Sequence, residues 1–91
     1  MSTPDAFTAL KQRFVARAQS DADALATAVR QADWAEAERL VHGFAGAAGM
    51  FGFSNLSANA LLLDAEFASG TRPEAARLEA LIAEAKAIDQ S

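Results

Sequence analysis

Apolar residues recur at helical spacing through the first third of the chain, at Phe7, Leu10, Phe14, Ala18, Leu25, Ala28 and Val29. Side chains three, four and seven positions apart share one face of a helix, so this spacing predicts an amphipathic helix. A helix start is indicated near Thr3, Pro4 and Asp5, with a cap, a first-turn proline and an acid at the positive end of the helix dipole. The stripe weakens at Ser20–Asp21, but no glycine or proline interrupts it, so we predict one helix that ends near Gln31.

A second helix is predicted from Trp34 to about Phe51. Asp33 precedes it as the expected N-cap, and Glu36 lies three residues later, as in a capping box. Gly52 is the expected stop, because glycine adopts the left-handed conformation that ends many helices.

Two more helices follow from the same reasoning. Ser54 is the expected cap of the third helix, which ends at Ser69–Gly70 and buries Leu56, Ala60, Leu63 and Phe67. Thr71 with Glu74 forms a second capping-box pattern, and Pro73 falls in the first turn of the fourth helix. That helix is expected to bury Leu78, Leu81, Ala85 and Ile88.

Four amphipathic helices with short connections are typical of an all-α, antiparallel four-helix bundle. Alanine, the strongest helix former, supplies 24 of the 91 residues, which supports the same fold class. We expect residues 1–91 to form a single domain. A three-helix core with a detached first segment is the alternative, and it is disfavoured because Phe7, Leu10 and Phe14 need a place to pack.

Charge and composition exclude several classes of function. The net charge is −4, and the eight basic residues are scattered singly, so no nucleic-acid surface is expected. Without cysteine there are no disulfides or thiolate metal sites. No secretory signal and no apolar run of about 20 residues is visible, so we expect a cytoplasmic protein that does not enter a membrane.

The second predicted helix contains the chain's single histidine, His42, and a series of glycines. At about 100° per residue, the core-facing arc of this helix contains Trp34, Ala37, Leu40, Val41, Phe44, Ala45, Ala48 and Phe51. His42 lies roughly 130° from the centre of that arc. Its neighbours on the outer arc are Ala35, Arg39, Gly43, Gly46, Gly49 and Met50. The phase therefore predicts an imidazole that points to solvent from a surface with few side chains.

Three glycines inside one helix together cost about 3 kcal/mol of stability relative to alanine. Close packing against another helix is one explanation, but the glycines lie mostly off the core arc. The other explanation is that a bulky group must approach His42, whose neutral imidazole is a nucleophile at physiological pH. A phosphoryl group and the protein that delivers it would fit. No serine lies at contact spacing, Glu38 gives only a weak second metal ligand, and no ATP-binding motif is present.

The segment from His42 to Leu56 resembles the motif of histidine-containing phosphotransfer (HPt) domains of multistep phosphorelays. It reads His42, Gly43, Phe44, Ala45, Gly46, Ala47, Ala48, Gly49, Met50, Phe51, Gly52, Phe53 and then Leu56. Leu63–Asp64 occupies the place of the Leu-Glu pair that is common in the family. The resemblance implies a four-helix bundle in which His42 accepts a phosphoryl group from a receiver-domain aspartyl phosphate and passes it to another receiver.

The resemblance also implies a phosphocarrier rather than a kinase, without a cofactor of its own. The partners would be receiver domains of response regulators or hybrid histidine kinases, and Mg²⁺ would be held by the receiver. His42 would be the phosphoacceptor and no residue a metal ligand. The residues expected near the phosphate or the docked receiver are Arg39, Gly43, Ala45, Gly46, Gly49 and Met50. Phe53 is either a further apolar contact or a core residue at the helix junction.

The chain departs from the family at Ala45, where a lysine usually neutralises the phosphoryl charge. Arg39, one turn before His42, either replaces this lysine in part or is an ordinary solvated arginine. Two rival functions stay open: a docking or scaffold module that binds receivers without efficient transfer, and an assembly domain whose glycines pack against a second copy. We expect a monomer.

Overall fold

The computed structural model describes residues 5–89. Its four α-helices are α1 (Ala6–Arg30), α2 (Trp34–Ala47), α3 (Ser54–Ala68) and α4 (Ala75–Ala87). A single 3₁₀ turn, Gly49–Phe51, follows α2, and no strand occurs in the described part of the chain. α1 packs against α2 and α4, and α3 packs against the same two helices. The predicted all-α, four-helix fold is confirmed, and α1 is part of the bundle rather than detached.

One apolar core joins the four helices. Its buried residues are Ala18, Ala22, Leu25, Ala28, Ala37, Leu40, Val41, Phe44, Ala45, Ala48, Leu56, Ala60, Leu63, Leu78, Leu81 and Ala85. Six of the eight residues on the predicted core arc of α2 belong to it, while Trp34 and Phe51 are half-buried. Ile88, predicted to lie within the fourth helix, follows it as the C-cap and is half-buried.

The first two apolar residues of the stripe predicted for α1 do not lie in the core. Phe7 is 52% exposed and Leu10 is 49% exposed. The side-chain amide of Gln19 donates to the carbonyl of Ile88, just beyond the end of α4, at 3.1 Å. The turns of α1 before Gln19 therefore extend past α4. Phe7 rests instead on the ring of Phe51, with ring centroids 5.4 Å apart.

Two aspartates cap helices through their carboxylates. Asp33 accepts a hydrogen bond from the backbone N–H of Glu36 at 3.3 Å, which confirms it as the N-cap of α2. The Glu36 carboxylate binds the Arg39 guanidinium instead of completing a capping box. Asp5 caps α1 by accepting from the N–H of Thr8 at 2.7 Å, so it precedes the helix rather than lying in its first turn. The predicted roles of Thr3 and Pro4 fall outside the described residues.

The predicted caps of the third and fourth helices are wrong. Phe53 takes the N-cap position of α3, and its ring lies 5.8 Å from that of Phe14, so Ser54 becomes the first helical residue. Thr71 belongs to the turn that follows α3, since its N–H donates to the carbonyl of Glu66 at 2.9 Å. α4 begins later than predicted, with Glu74 as its N-cap and Pro73 before the helix.

This difference in capping predicts a difference in stability. Asp33→Ala is expected to lower the free energy of unfolding by about 1 kcal/mol, because it removes a cap bond. Ser54→Ala and Thr71→Ala are expected to change it by less than about 0.5 kcal/mol, because neither side chain caps a helix. Urea unfolding of the three variants measures both values, with Asp33→Asn as the control that keeps a capping oxygen. Equal losses for all three would contradict the assignment.

The end of the second helix differs from its prediction, whereas both glycine stops are confirmed. α2 ends at Ala47, before the predicted Phe51, and the 3₁₀ turn follows. Gly52 ends this turn with φ 86°, and Gly70 follows α3 with the same φ. Such a φ is left-handed and favours glycine. The ring of Phe51 stacks on that of Phe14 at 5.2 Å, which ties the tighter turn to α1.

No helix within residues 5–89 has the length and apolar character needed to cross a membrane.

Candidate functional site

His42 projects outward from the middle of α2. Its side chain is 77% exposed. The neighbouring Leu40, Val41 and Phe44 are all buried, so the geometry of the helix turns His42 away from the core. The imidazole is therefore open to an approaching molecule, as its phase along the helix predicts.

Asp64 on α3 binds the inner edge of the imidazole. Its Oδ2 lies 3.0 Å from Nδ1 of His42, and its side chain is only 23% exposed. Leu63 beside it is buried, which fixes the face of α3 that Asp64 occupies. A carboxylate accepts hydrogen bonds, so Nδ1 must carry the proton. In the neutral ring the lone pair then lies on Nε2, the nitrogen on the far side from Asp64.

The same contact raises the pKa of His42 above its ordinary value of 6.5. The hydrogen bond that Nδ1 donates to Asp64 is the largest cause, followed by the charge of Asp64, and Glu38 adds to the effect. Both carboxylates stabilise the protonated ring. The nucleophilic, neutral form therefore appears at a higher pH than it would for an isolated histidine.

The glycine strip, defined here as Gly43, Gly46 and Gly49, borders His42. All three residues are exposed. A Cβ atom added at Gly43 or Gly46 would have none of the described residues within 4 Å beyond its own stretch of helix. At Gly49 an added Cβ would lie 3.1 Å from Oγ of Ser57 on α3. Close packing between helices therefore explains Gly49 but neither Gly43 nor Gly46, above which the surface is open.

The remaining predicted site residues are divided by burial. Met50 is 67% exposed, in the 3₁₀ turn rather than in α2. Arg39 is exposed, but its guanidinium is paired with Glu36. Nε donates to Oε1 at 2.6 Å, and Nη2 donates to Oε2 at 2.9 Å. Ala45 is only 8% exposed, and its carbonyl accepts from Oγ of Ser57 at 3.4 Å. The prediction that the Ala45 side chain forms part of a docking surface is corrected, because that side chain belongs to the buried apolar core.

A groove of about 300 Å³ runs between α1 and α2 and reaches the glycine strip. It is lined by Phe14, Arg17, Ala18, Asp21, Arg39, Leu40, Gly43, Phe44 and Ala47. Arg17 and Asp21 pair with each other at 3.5 Å on the α1 side. The two arginines of the groove are thus each held by a neighbouring carboxylate on their own helix.

The family model of the Hpt domain matches residues 9–91. The chain belongs to the Hpt domain family. Hpt domains are phosphocarriers rather than kinases, act in histidine phosphotransfer within phosphorelays, and interact with receiver domains. No match was found among curated proteins or solved structures. The four helices of this chain agree with the bundle expected of an Hpt domain.

The sequence alone does not reveal the contact between His42 and Asp64 in this Hpt domain. It places Asp64 only in the Leu63–Asp64 pair of the resemblance. This contact could have been anticipated from the register of α2 and α3, which form a helical hairpin around Gly52. Residues at similar distances before and after such a turn lie opposite each other, so His42 and Asp64 are candidates for contact.

Between residues 5 and 89, no group of three or more His, Cys, Asp or Glu side chains is arranged to hold a metal ion.

The glycine strip predicts which substitutions stabilise the Hpt domain. Gly43→Ala and Gly46→Ala are each expected to raise the free energy of unfolding by about 1 kcal/mol, because alanine favours the helix and its Cβ has open space. Gly49→Ala is expected to gain less, since Ser57 would have to move. Denaturant unfolding of the three single variants tests the order. A loss of stability at Gly43 or Gly46 would show that these positions are packed.

Proposed function

We propose that this Hpt domain is a histidine phosphotransfer protein with His42 as its phosphoacceptor. Nε2 of His42 takes a phosphoryl group from the aspartyl phosphate of one receiver domain and passes it to another. The receivers belong to response regulators or hybrid histidine kinases, and the domain acts as a cytoplasmic monomer. The observation that supports this most strongly is the exposed imidazole, held at Nδ1 by Asp64, beside open glycine backbone.

The proposed reaction uses the tautomer that Asp64 selects. The lone pair on Nε2 attacks phosphorus, and an N–P bond forms as the P–O bond to the receiver's aspartate breaks. The electron pair of that bond leaves with the aspartate carboxylate. The ring becomes cationic, with its proton still on Nδ1, and the carboxylate of Asp64 stabilises that charge. Transfer to the next receiver reverses these steps.

Charge neutralisation must come largely from the receiver. Phosphoryl transfer depends mainly on positioning and on cations that balance the charge of the transferring group. This chain has Ala45 in place of the usual lysine, and Arg39 is bound to Glu36. In this proposal the negative charge of the phosphoryl group is therefore neutralised mainly by the receiver, which holds the Mg²⁺.

The pairing of Arg39 leads to a prediction about its role. Arg39→Ala is expected to change the transfer rate by less than about threefold. The charge of Arg39 is already balanced by Glu36, and exposed ion pairs of this kind contribute little interaction energy. Single-turnover transfer from a phosphorylated receiver measures the rate, and Arg17→Ala serves as the control on the facing helix. A loss of tenfold or more, on the order of 1.4 kcal/mol of barrier, would show instead that Arg39 replaces the missing lysine.

A docking module without efficient transfer is the second candidate, and Ala45 is the observation that favours it. The experiment that separates the two uses a receiver labelled at its aspartate with radioactive phosphate. Phosphotransfer predicts that the label moves to this chain as acid-labile, alkali-stable phosphate. If the chain is only a docking module, it should bind the receiver while the label stays on the receiver. Binding is detected as an increase in the mass of the complex in solution.

A further inference from the structure

We propose that Asp64 keeps the phosphorylated ring of His42 protonated, so that phosphohistidine remains a reactive, short-lived donor at neutral and mildly alkaline pH. This inference rests on the proposed function, and it assigns to Asp64 control over how long the phosphoryl group stays on the domain. Asp64 acts through the imidazole and is therefore a positioning residue.

The geometry allows the contact to survive phosphorylation. Asp64 Oδ2 lies 3.0 Å from Nδ1, whereas the phosphoryl group would occupy Nε2 on the other edge of the ring. The carboxylate of Asp64 is mostly shielded from solvent, while the imidazole is mostly exposed. The phosphoryl group therefore points into open space, and its bond to nitrogen does not displace Asp64.

Among the other charges around His42, one carboxylate also stabilises the protonated ring, and the nearby arginines are paired with carboxylates. Glu38 on α2 raises the pKa of His42 in the same direction as Asp64. Arg39 on the same helix is bound to Glu36. On α1, across the groove, Asp21 is paired with Arg17. The carboxylate of Asp64, in direct contact with Nδ1, is thus the dominant charge on the ring.

A proton on Nδ1 decides how easily the N–P bond breaks. When the bond breaks, its electron pair returns to Nε2, and a ring protonated at Nδ1 leaves as neutral imidazole. A ring without that proton would have to leave as an imidazolate anion, which is a far poorer leaving group. The phosphorus meanwhile forms a bond to an oxygen of the next aspartate or of water, and in hydrolysis the proton of water passes to solvent. Reactivity therefore follows protonation of Nδ1, which Asp64 stabilises.

The test phosphorylates the chain chemically, with phosphoramidate as a small donor, so that no receiver is needed. The loss of the N–P signal is then followed by ³¹P NMR from about pH 6 to about pH 9, a range that brackets the titration of histidine. The wild-type phosphohistidine is expected to decay about fivefold faster than that of Asp64→Asn near pH 8, since asparagine keeps an acceptor but not the charge. The pH at which decay slows by half is expected to fall in Asp64→Asn.

Two controls complete the test. Asp64→Glu keeps the carboxylate and should restore fast decay at high pH, which a merely structural role would not predict. Asp23→Asn removes the same charge far from His42, where Asp23 binds Lys86 at 2.7 Å, and should decay like the wild type. Circular dichroism verifies that each variant remains helical.

Identical decay profiles for the wild type and Asp64→Asn would overturn the inference, even if receivers transfer phosphate to His42. Failure of phosphoramidate to modify His42 would overturn it as well, because Nε2 would then not be free. If the profiles differ as expected but no receiver transfers phosphate, the proposed function fails and the chemical role of Asp64 stands.

Discussion

His42→Gln is expected to abolish phosphoryl acceptance while leaving the bundle folded. Glutamine has no nitrogen with an available lone pair, so no N–P bond can form at residue 42. The side chain of His42 is 77% exposed, and its removal opens no cavity in the core. Surface substitutions of this kind usually change stability by less than about 0.5 kcal/mol. Incubation with a phosphorylated, radiolabelled receiver measures acceptance, and circular dichroism measures helix content.

The stability of the bound phosphate to acid and alkali serves as the control for His42→Gln. Phosphate on histidine is lost in acid and kept in alkali, whereas phosphate on a carboxylate is lost in alkali. Acid-labile, alkali-stable label that persists in His42→Gln would contradict the assignment, because His42 is the chain's one histidine. A variant that unfolds would be replaced by His42→Asn, whose side-chain amide retains an N–H donor toward the carboxylate of Asp64.

Gly46→Trp is expected to reduce transfer by about a hundredfold or more without destabilising the domain. Gly46 lies one turn beyond His42, and a Cβ there meets open space. A large ring on this surface would hold a receiver away from the imidazole, and misplacement by about 1 Å can cost about 10² in rate. Tryptophan is also a better helix former than glycine, so stability should be unchanged or higher.

Matched variants separate obstruction from other effects of Gly46→Trp. Gly46→Ala adds only a methyl group and should transfer phosphate at close to the wild-type rate. Ala76→Trp places the same ring at an exposed position on α4, which packs against α1 and α3, and should leave transfer intact. Wild-type transfer by Gly46→Trp would mean that the receiver does not approach across the glycine strip.

Features encoded by local spacing could be predicted from the sequence. The arc of α2 that contains Leu40, Val41 and Phe44 follows from helical geometry, and it turns His42 outward without reference to any other helix. Gly52 and Gly70 were predicted as stops for a similarly local reason, since their backbone φ of 86° favours glycine. The exposure of His42 therefore needed no knowledge of tertiary structure.

Features that depend on a choice between partners could not be predicted in this way. Glu36 was expected to complete a capping box and instead binds Arg39, a charge-assisted pair that competes with the backbone N–H. Phe53, whose ring packs on that of Phe14, occupies the N-cap position that was expected of Ser54. The exposure of Phe7 depends on where α4 ends relative to α1. Each of these outcomes requires the relative position of two side chains or two helices.

The most direct test of the account is the identity of the nitrogen that receives phosphate. The chain, labelled with ¹⁵N in its imidazole, would be mixed with a phosphorylated receiver and observed by ³¹P and ¹⁵N NMR. One new phosphorus signal is expected, coupled to Nε2 of His42, with the proton retained on Nδ1 opposite Asp64. A phosphorus bound to Nδ1, or no N–P signal after the receiver has lost its phosphate, would contradict it.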